Sequence, residues 1–210
     1  ALGILPLGTG NDAARTLGLP LTATAAAAVL LAGRRRRVDL MRLGDHVVLN
    51  AIGIGLLGSI NVNAAAIKWV RGIAAYLVAA LGTLFSYKPI PIELDQDGSP
   101  LREEMTILAI HNGVTTGGGF RLAPGALVDD GVLNACLVGP LGVPARLSRL
   151  VAALRGTLGE QPGSREFGFR RMTLATAVRI PSHLDGNPFY IEPPGTVIEV
   201  LPGALEVISA

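Results

Sequence analysis

The sequence predicts an α/β fragment followed by a larger, mainly antiparallel β-sandwich domain with one or two helices. The first 33 residues contain one short apolar segment, a glycine-rich turn and two helical segments. After residue 37, short apolar segments separated by Gly, Pro and Asp turns dominate, which is typical of antiparallel sheets. Hydrophobic residues make up 50% of the chain and charged residues 16%, so a substantial core can be buried.

The opening segment predicts a strand, a turn and two helices in succession. Leu2–Leu5 has the apolar character of a buried strand, and residues 8–12 form the turn G-T-G-N-D. A helical pattern follows over 13–17, and a second helix runs over 23–32 between a Thr cap and a Gly. This order of elements predicts part of an α/β domain.

The rest of the chain predicts a sandwich. We place the domain boundary near residue 37, giving domains 1–37 and 38–210, and the last few residues can return to the first domain. Strands are predicted at 38–40, 47–54, 88–94, 105–110 and 132–138, with several short ones between 167 and 208. Turns are predicted at 44–45, 95–98, 185–186, 193–195 and 202–203, and helices at 73–87 and 143–154.

Composition argues against several function classes. A net charge of +2 implies no nucleic-acid partner. The longest apolar stretch, 73–87, is shorter than the ~20 residues that cross a bilayer, so we expect a buried or half-buried helix. Cys136 is the single cysteine, and its apolar surroundings predict a buried thiol. The histidines His46, His111 and His183 lack metal-ligand spacing, which favours structural or surface roles.

The glycine turn is the first candidate binding site. Gly8, Thr9, Gly10 and Asn11 lie between the predicted strand and the first helix. Glycines allow a phosphate to approach the backbone closely, and Thr9 adds a hydroxyl donor. A turn of this size is also common as a purely structural connection, so the residues alone leave both interpretations open.

Longer motifs decide in favour of the first interpretation. LPLGTGNDAAR at 5–15 is followed by GIAAYL at 72–77, GGGFRLAP at 117–124 with LVDDG at 127–131, and HLDGNP at 183–188. In this order they resemble the diacylglycerol kinase catalytic family, which includes bacterial lipid kinases and sphingosine kinases. The resemblance covers most of the chain, with Ala13 where the family commonly has Phe.

The resemblance implies a fold and a nucleotide. It implies a Rossmann-like domain of the NAD-kinase and diacylglycerol-kinase type before a lipid-binding sandwich, with ATP between them. Gly8, Thr9, Gly10 and Asn11 would then bind ATP, with Thr9 near the phosphates. The family's G-G-D-G-T phosphate loop is absent from this sequence. We therefore expect the intact protein to be longer and to carry the N-terminal nucleotide-binding portion upstream.

A candidate catalytic base lies in the last motif. Relatives have D-G-E where this chain has Asp185, Gly186 and Asn187, and their Glu is commonly taken as the base. An amide cannot accept a proton at neutral pH, so we assign the base to Asp185, with Asn187 beside it. Asp-Gly is also a strong hairpin signal, which is the structural alternative.

The resemblance also implies a structural Mg²⁺ site. Its ligands would be the Leu127 carbonyl, the Asp130 carboxylate and the Val132 carbonyl, with waters. Oxygen ligands on a loop suit this hard cation. A solvated acidic turn is the alternative.

These features predict an ATP-dependent lipid kinase acting on diacylglycerol or a related lipid, with ATP and Mg²⁺ as cofactors. A non-catalytic lipid-binding relative and an NAD-kinase-like enzyme are the alternatives. We expect a cytoplasmic protein, peripheral at the inner face of the membrane. Arg34–Arg37 and Trp69, with Lys68 and Arg71, could face that membrane or have structural roles. Homodimer formation stays open.

Overall fold

A computed structural model describes residues 1–67 and 73–209 and shows a sandwich of two antiparallel sheets. The helices are α1 Asp12–Thr16, α2 Ala23–Ala32, α3 Leu56–Ala66, α4 Ile73–Ser86 and α5 Val143–Arg155. The strands are β1 Arg35–Leu43, β2 His46–Val48, β3 Ala51–Gly55, β4 Ile90–Gln96, β5 Ser99–Met105, β6 Ile107–His111, β7 Leu133–Val138, β8 Ser164–Phe169, β9 Arg171–Ala175, β10 Ile180–Leu184, β11 Asn187–Ile191 and β12 Gly195–Ile208.

Each sheet has six strands, and the main core lies between them. The first sheet has the order β2-β1-β12-β9-β4-β5 and the second has β11-β10-β3-β6-β7-β8. Alternate side chains from both sheets meet in the core, as antiparallel strands with one buried face require. Fully buried members of this core include Met41, Ile52, Ile54, Leu108 and Met172. The predicted sandwich is confirmed.

Three helices cover the outer face of the second sheet. Leu56 and Ile60 of α3, Leu84 of α4 and Ala153 of α5 form a second buried cluster there with Cys136 of β7. The buried thiol is thus confirmed, and burial raises its pKa to about 12. The sequence predicted one or two helices in this domain, and that number was wrong because its described residues contain three. The helix that was missed is α3, whose apolar residues show no regular helical period. No helix in 1–67 or 73–209 is long and apolar enough to cross a bilayer.

Several predicted strand boundaries were wrong. The strand predicted at 47–54 is two strands, because the N–H groups at the break bond to a side chain instead of a neighbouring strand. The strand predicted at 105–110 is β6, which belongs to the second sheet. The hairpin partner of β4 is instead β5. Pro202-Gly203 does not end β12, which continues past an irregularity in its pairing with β1.

The N-terminal segment packs where β1 begins and β12 ends. Ala14, Leu17 and Leu19 are buried against Val38 and Val207. The buried strand predicted at Leu2–Leu5 is wrong, since the segment makes a single parallel bridge to β12 and its two terminal leucines are exposed. A Rossmann-like sheet is therefore not evident within residues 1–37. Trp69, with Lys68 and Arg71, lies outside the described residues.

Candidate active site

The glycine turn is closed by its own asparagine. Asn11 Oδ1 accepts the Gly8 N–H at 3.0 Å, and Asn11 Nδ2 donates to the Gly8 carbonyl at 2.8 Å. Asn11 has a left-handed backbone with φ 52°, which asparagine tolerates better than most residues. The side chain of Thr9 is exposed between them. The four predicted ATP-binding residues therefore form one turn that presents a hydroxyl to solvent.

The triglycine loop forms the facing wall of this turn. The Gly118 N–H donates to Asp12 Oδ2 at 2.8 Å, and a Cβ on Gly10 would lie 3.5 Å from the Gly118 Cα. A depression of about 390 Å³ opens beside the loop, with the two exposed arginines Arg15 and Arg121 on its lining. Positive charge beside a glycine turn suits a phosphate group.

Asp185 lies in a tight turn and holds three backbone groups. Its Oδ1 accepts the N–H groups of Asn50 at 2.9 Å and Ala51 at 2.8 Å, and its Oδ2 accepts that of Leu49 at 2.8 Å. The backbone of Asp185 has the left-handed conformation, with φ 47°. These bonds explain the break between β2 and β3. They fix the carboxylate in one place and leave one lone-pair direction of Oδ2 free.

Asn187 lies two residues further on, at the start of β11. Its amide donates to the Leu184 carbonyl at 3.3 Å. A depression of about 290 Å³ next to it is lined by polar and apolar groups, namely His46, Val47, Leu184, Asp185, Asn187, Pro188 and Phe189. Both predicted catalytic residues therefore border one cavity with a partly apolar wall.

Asn50 connects the two halves of the site. The Thr16 hydroxyl at the end of α1 donates to Asn50 Oδ1 at 2.6 Å, and Asn50 Nδ2 donates to the Thr115 carbonyl at 2.9 Å. Its backbone N–H is one of the three that donate to the Asp185 carboxylate. A Cβ on Gly113 would overlap the Thr16 and Asn50 side chains, so only glycine fits behind this bond. One buried residue thus contacts the helix after the glycine turn, the loop before the triglycine segment and the Asp185 turn.

Two buried histidines lie on the same side of the second sheet. His183 lies opposite Gly53 of β3, where its ring occupies the space of the missing Cβ. Its Nδ1 accepts the Gly186 N–H at 3.4 Å, and this bond stabilises the Asp185 turn. Burial lowers the pKa of His111 and of His183 to about 4. The neutral His183 ring is therefore the form that accepts this bond.

The predicted metal loop is held by a residue that the motifs did not indicate. Asp39 is buried, and its two oxygens accept the N–H groups of Gly131 and Gly203, each at 2.7 Å. Asp130 is exposed and its Oδ1 accepts the Val132 N–H at 3.0 Å, which leaves Oδ2 free. A free carboxylate oxygen on an exposed loop is the kind of ligand that a hard cation prefers. Within the described ranges, no cluster of three or more His, Cys, Asp or Glu side chains could hold a metal.

Comparison with known proteins identifies the family. A family model described as the YegS C-terminal NAD kinase beta sandwich-like domain matches residues 50–209, and one described as the diacylglycerol kinase catalytic domain matches 1–43. The chain belongs to the diacylglycerol kinase family. The resemblance predicted from the motifs is thereby confirmed.

Relatives in this family are named probable lipid kinases. The chain is 39% identical over 154 residues to "Probable lipid kinase YegS-like" of Pseudomonas fluorescens, covering 72% of this chain and 51% of that protein. It is 32% identical over 210 residues to the protein of the same name from Chromohalobacter salexigens, covering 98% and 66%. The chain thus spans about half to two thirds of the length of these relatives.

Solved structures share the fold of this family member. A diacylglycerol kinase from Bacillus anthracis str. Sterne superposes with a TM-score of 0.70 at 22% identity, covering 97% of this chain and 64% of that one. A second structure from the same organism gives 0.75 at 23% identity, covering 97% and 66%. At this identity the likeness concerns the fold.

Two site residues escaped the motif analysis. Asn50 and Asp39 are isolated polar residues next to apolar segments, whereas His183 is the first residue of the HLDGNP motif. A polar residue at the end of an apolar strand is the signal that could have found Asn50, since buried polar groups need partners. Its partners lie 34 and 65 residues away, which no local pattern shows.

Proposed function

We propose that this chain provides the sandwich and part of the nucleotide site of an ATP-dependent kinase that phosphorylates the hydroxyl of diacylglycerol or a related lipid. The observation that carries the proposal is the Asn50 link, which joins the glycine turn region to the Asp185 turn. Phosphoryl transfer needs a phosphate cradle and a positioned base in fixed relation.

Each group has a role in this reaction. Gly8, Thr9, Gly10 and Asn11 would hold the phosphates of ATP, which supplies the γ-phosphoryl group. The lipid hydroxyl oxygen forms a bond to the γ-phosphorus as the bond from that phosphorus to the ADP oxygen breaks. Asp185 Oδ2 accepts the hydroxyl proton, and Asn187 orients the hydroxyl.

Mg²⁺ would have a structural role in the sandwich. The Asp130 Oδ2 atom and the Leu127 and Val132 carbonyls would bind it, with waters completing its coordination shell. Asp39 fixes the loop that carries these atoms onto β1 and β12. This cation would order the loop and would not contact the transferred phosphate.

The test compares two aspartates in matching turns. Asp97 also precedes a glycine in a hairpin, has φ 48°, and accepts two backbone N–H groups, from Arg170 at 3.1 Å and Arg171 at 2.9 Å. Labelled phosphate transfer from ATP to diacylglycerol is measured with the full-length protein, for Asp185→Ala and Asp97→Ala. We expect both to lose some stability but only Asp185→Ala to lose about a hundredfold or more in kcat. Equal activity of the two variants would refute the base assignment.

Asn187 stands where relatives have the Glu that is commonly taken as the base. This difference favours a second candidate function, a non-catalytic lipid-binding member of the family. This alternative expects lipid binding without ATP turnover, even with the full-length protein. An NAD-kinase-like activity is the third, and the partly apolar wall beside Asn187 argues for a lipid instead of a dinucleotide. Offering ATP with diacylglycerol or with NAD in parallel separates the three. For the kinase, we also propose a cytoplasmic location at the inner face of the membrane.

A further inference from the structure

Helix α5 exposes a stripe of four apolar side chains. Leu147, Leu150, Val151 and Leu154 recur at the spacing of one helix face and are 39–51% exposed. The side packed against the protein carries Ala152, Ala153 and, at the flank of the stripe, Arg146, which is only 7% exposed. A surface helix ordinarily turns its leucines to the core and its arginines to water.

The inward arginine has bonds that hold this orientation. Arg146 Nη1 donates to the Leu84 carbonyl at the end of α4 at 2.7 Å, and its Nε donates to the Leu141 carbonyl at 2.9 Å. Arg149 Nη2 donates to the Pro162 carbonyl at 2.7 Å. The helix is therefore held against the protein by Arg146 together with the buried Ala152 and Ala153, and the leucine face remains outward.

The neighbouring helix also exposes apolar side chains. Leu81 and Phe85 of α4 lie one turn apart and are largely exposed. The Arg146 bond to the Leu84 carbonyl brings the start of α5 next to the carboxyl end of α4. Exposed apolar side chains on two neighbouring helices mark a candidate interaction site.

The charged side chains of α5 itself are all positive. Positions 131–159 contain no Asp or Glu, and the first acid after α5 is Glu160. Arg155 at the end of the helix is exposed, and so is Arg121, whose Cβ lies close to Gly156. Neither arginine forms an ion pair with another residue of the described part of the chain. Aliphatic residues flanked by free cations fit the surface of an anionic bilayer.

We propose that the outer face of α5, formed by Leu147, Leu150, Val151 and Leu154, docks the protein onto an anionic phospholipid surface. Protein interfaces are anchored mainly by Trp, Tyr and Arg, and this stripe contains none of the aromatic anchors. The helix lies along the surface instead of crossing it. The inference deepens the proposed function, since a lipid substrate must be reached at a bilayer.

The experiment uses two valines of equal exposure. Val151 on α5 is 46% exposed, and Val178 in the β9–β10 loop is 45% exposed. The full-length protein, Val151→Glu and Val178→Glu are sedimented with vesicles of phosphatidylcholine alone and mixed with phosphatidylserine, without ATP. We expect the native protein and Val178→Glu to bind the mixed vesicles, and Val151→Glu to bind about tenfold more weakly. High salt should weaken binding of the native protein.

Other outcomes would overturn the proposal. Equal binding by the two variants, or no binding by the native protein, would show that α5 does not meet a bilayer. A native dimer in solution that Val151→Glu converts to monomers would assign the face to a second copy of the chain. Leu150→Phe keeps an apolar side chain on the face, so its binding should equal that of the native protein. The vesicle assay requires no catalysis, so the phosphate-transfer assay can fail without affecting it.

Discussion

At the scale of single residues, Asn50 links three segments of the candidate site. Its amide accepts from one segment and donates to another, and its N–H helps to hold Asp185. It is also buried, so water cannot replace a lost partner easily. Removal of the side chain should therefore affect the geometry of both halves of the site.

Asn50→Ala is the variant that tests this role. We expect a loss of about 1–3 kcal/mol in the free energy of unfolding and a rise in the KM for ATP, because α1 and the loop before the triglycine segment lose their shared partner. Asn63→Ala is the control, since Asn63 Nδ2 donates to the Thr83 hydroxyl at 2.9 Å between α3 and α4. Because Asn63 is exposed and its side chain makes a single bond, denaturant unfolding should show the smaller loss for Asn63→Ala, and steady-state kinetics should show a raised KM only for Asn50→Ala. An unchanged KM in Asn50→Ala would contradict the link.

At the scale of elements, the position of α3 depends on a glycine. A Cβ on Gly58 would overlap the backbone of Pro181 and Ser182 in β10. β10 leads directly into the Asp185 turn, so α3 and the candidate base are connected through one strand. Close approach of helix and strand is possible only where the helix has no side chain.

Gly58→Ala and Gly82→Ala form a matched pair of helical substitutions. Gly58→Ala should destabilise the fold by about 1–3 kcal/mol, because β10 must move away from α3. A Cβ on Gly82 in α4 would have no atom within 4 Å, so Gly82→Ala should stabilise by about 1 kcal/mol through helix propensity. Thermal unfolding monitored by circular dichroism measures both. Equal shifts of Tm would show that the α3–β10 contact is looser than described.

The sequence predicts elements well where one local rule dominates and poorly where distant partners decide. Helix α2 has the predicted bounds, and Gly33 takes the left-handed conformation that ends a helix, whereas the side chain of the predicted cap, Thr22, makes no capping hydrogen bond. In contrast, β2 and β3 separate because Asp185, which lies 135 residues after Asn50, accepts their N–H groups. β12 continues through Gly203 because the Asp39 carboxylate accepts its N–H. These bonds depend on tertiary structure, which local patterns do not contain.

The candidate site follows the same division. The glycine turn is a contiguous motif, and its closure by Asn11 is local. The roles proposed for Asp185, Asn187 and Asp130 came from the family resemblance and stay predictions. The buried partners that hold these segments, Asn50 and Asp39, became evident only from the three-dimensional arrangement.

At the scale of the whole molecule, the two buried histidines should make folding stability depend on pH. Burial lowers the pKa of both, and for His111 the bond to the Gly113 carbonyl opposes this shift while His183 adds to it. Between about pH 6.5 and 4 the unfolded chain binds these protons and the folded protein does not. Their contribution to stability is therefore complete above pH 6.5 and decreases as the pH falls towards 4.

The expected loss is large enough to measure by denaturant unfolding. One pKa unit corresponds to about 1.4 kcal/mol, so a shift from 6.5 to about 4 gives up to about 3 kcal/mol for each histidine. We expect the free energy of unfolding to fall by several kcal/mol between pH 7 and pH 4.5. His183→Gln keeps an oxygen that can accept the Gly186 N–H and removes one titrating group, so it should reduce the slope by about half. If native protein and His183→Gln show the same slope, His183 is not buried in its neutral form, and the support it gives to the Asp185 turn would have to come from elsewhere.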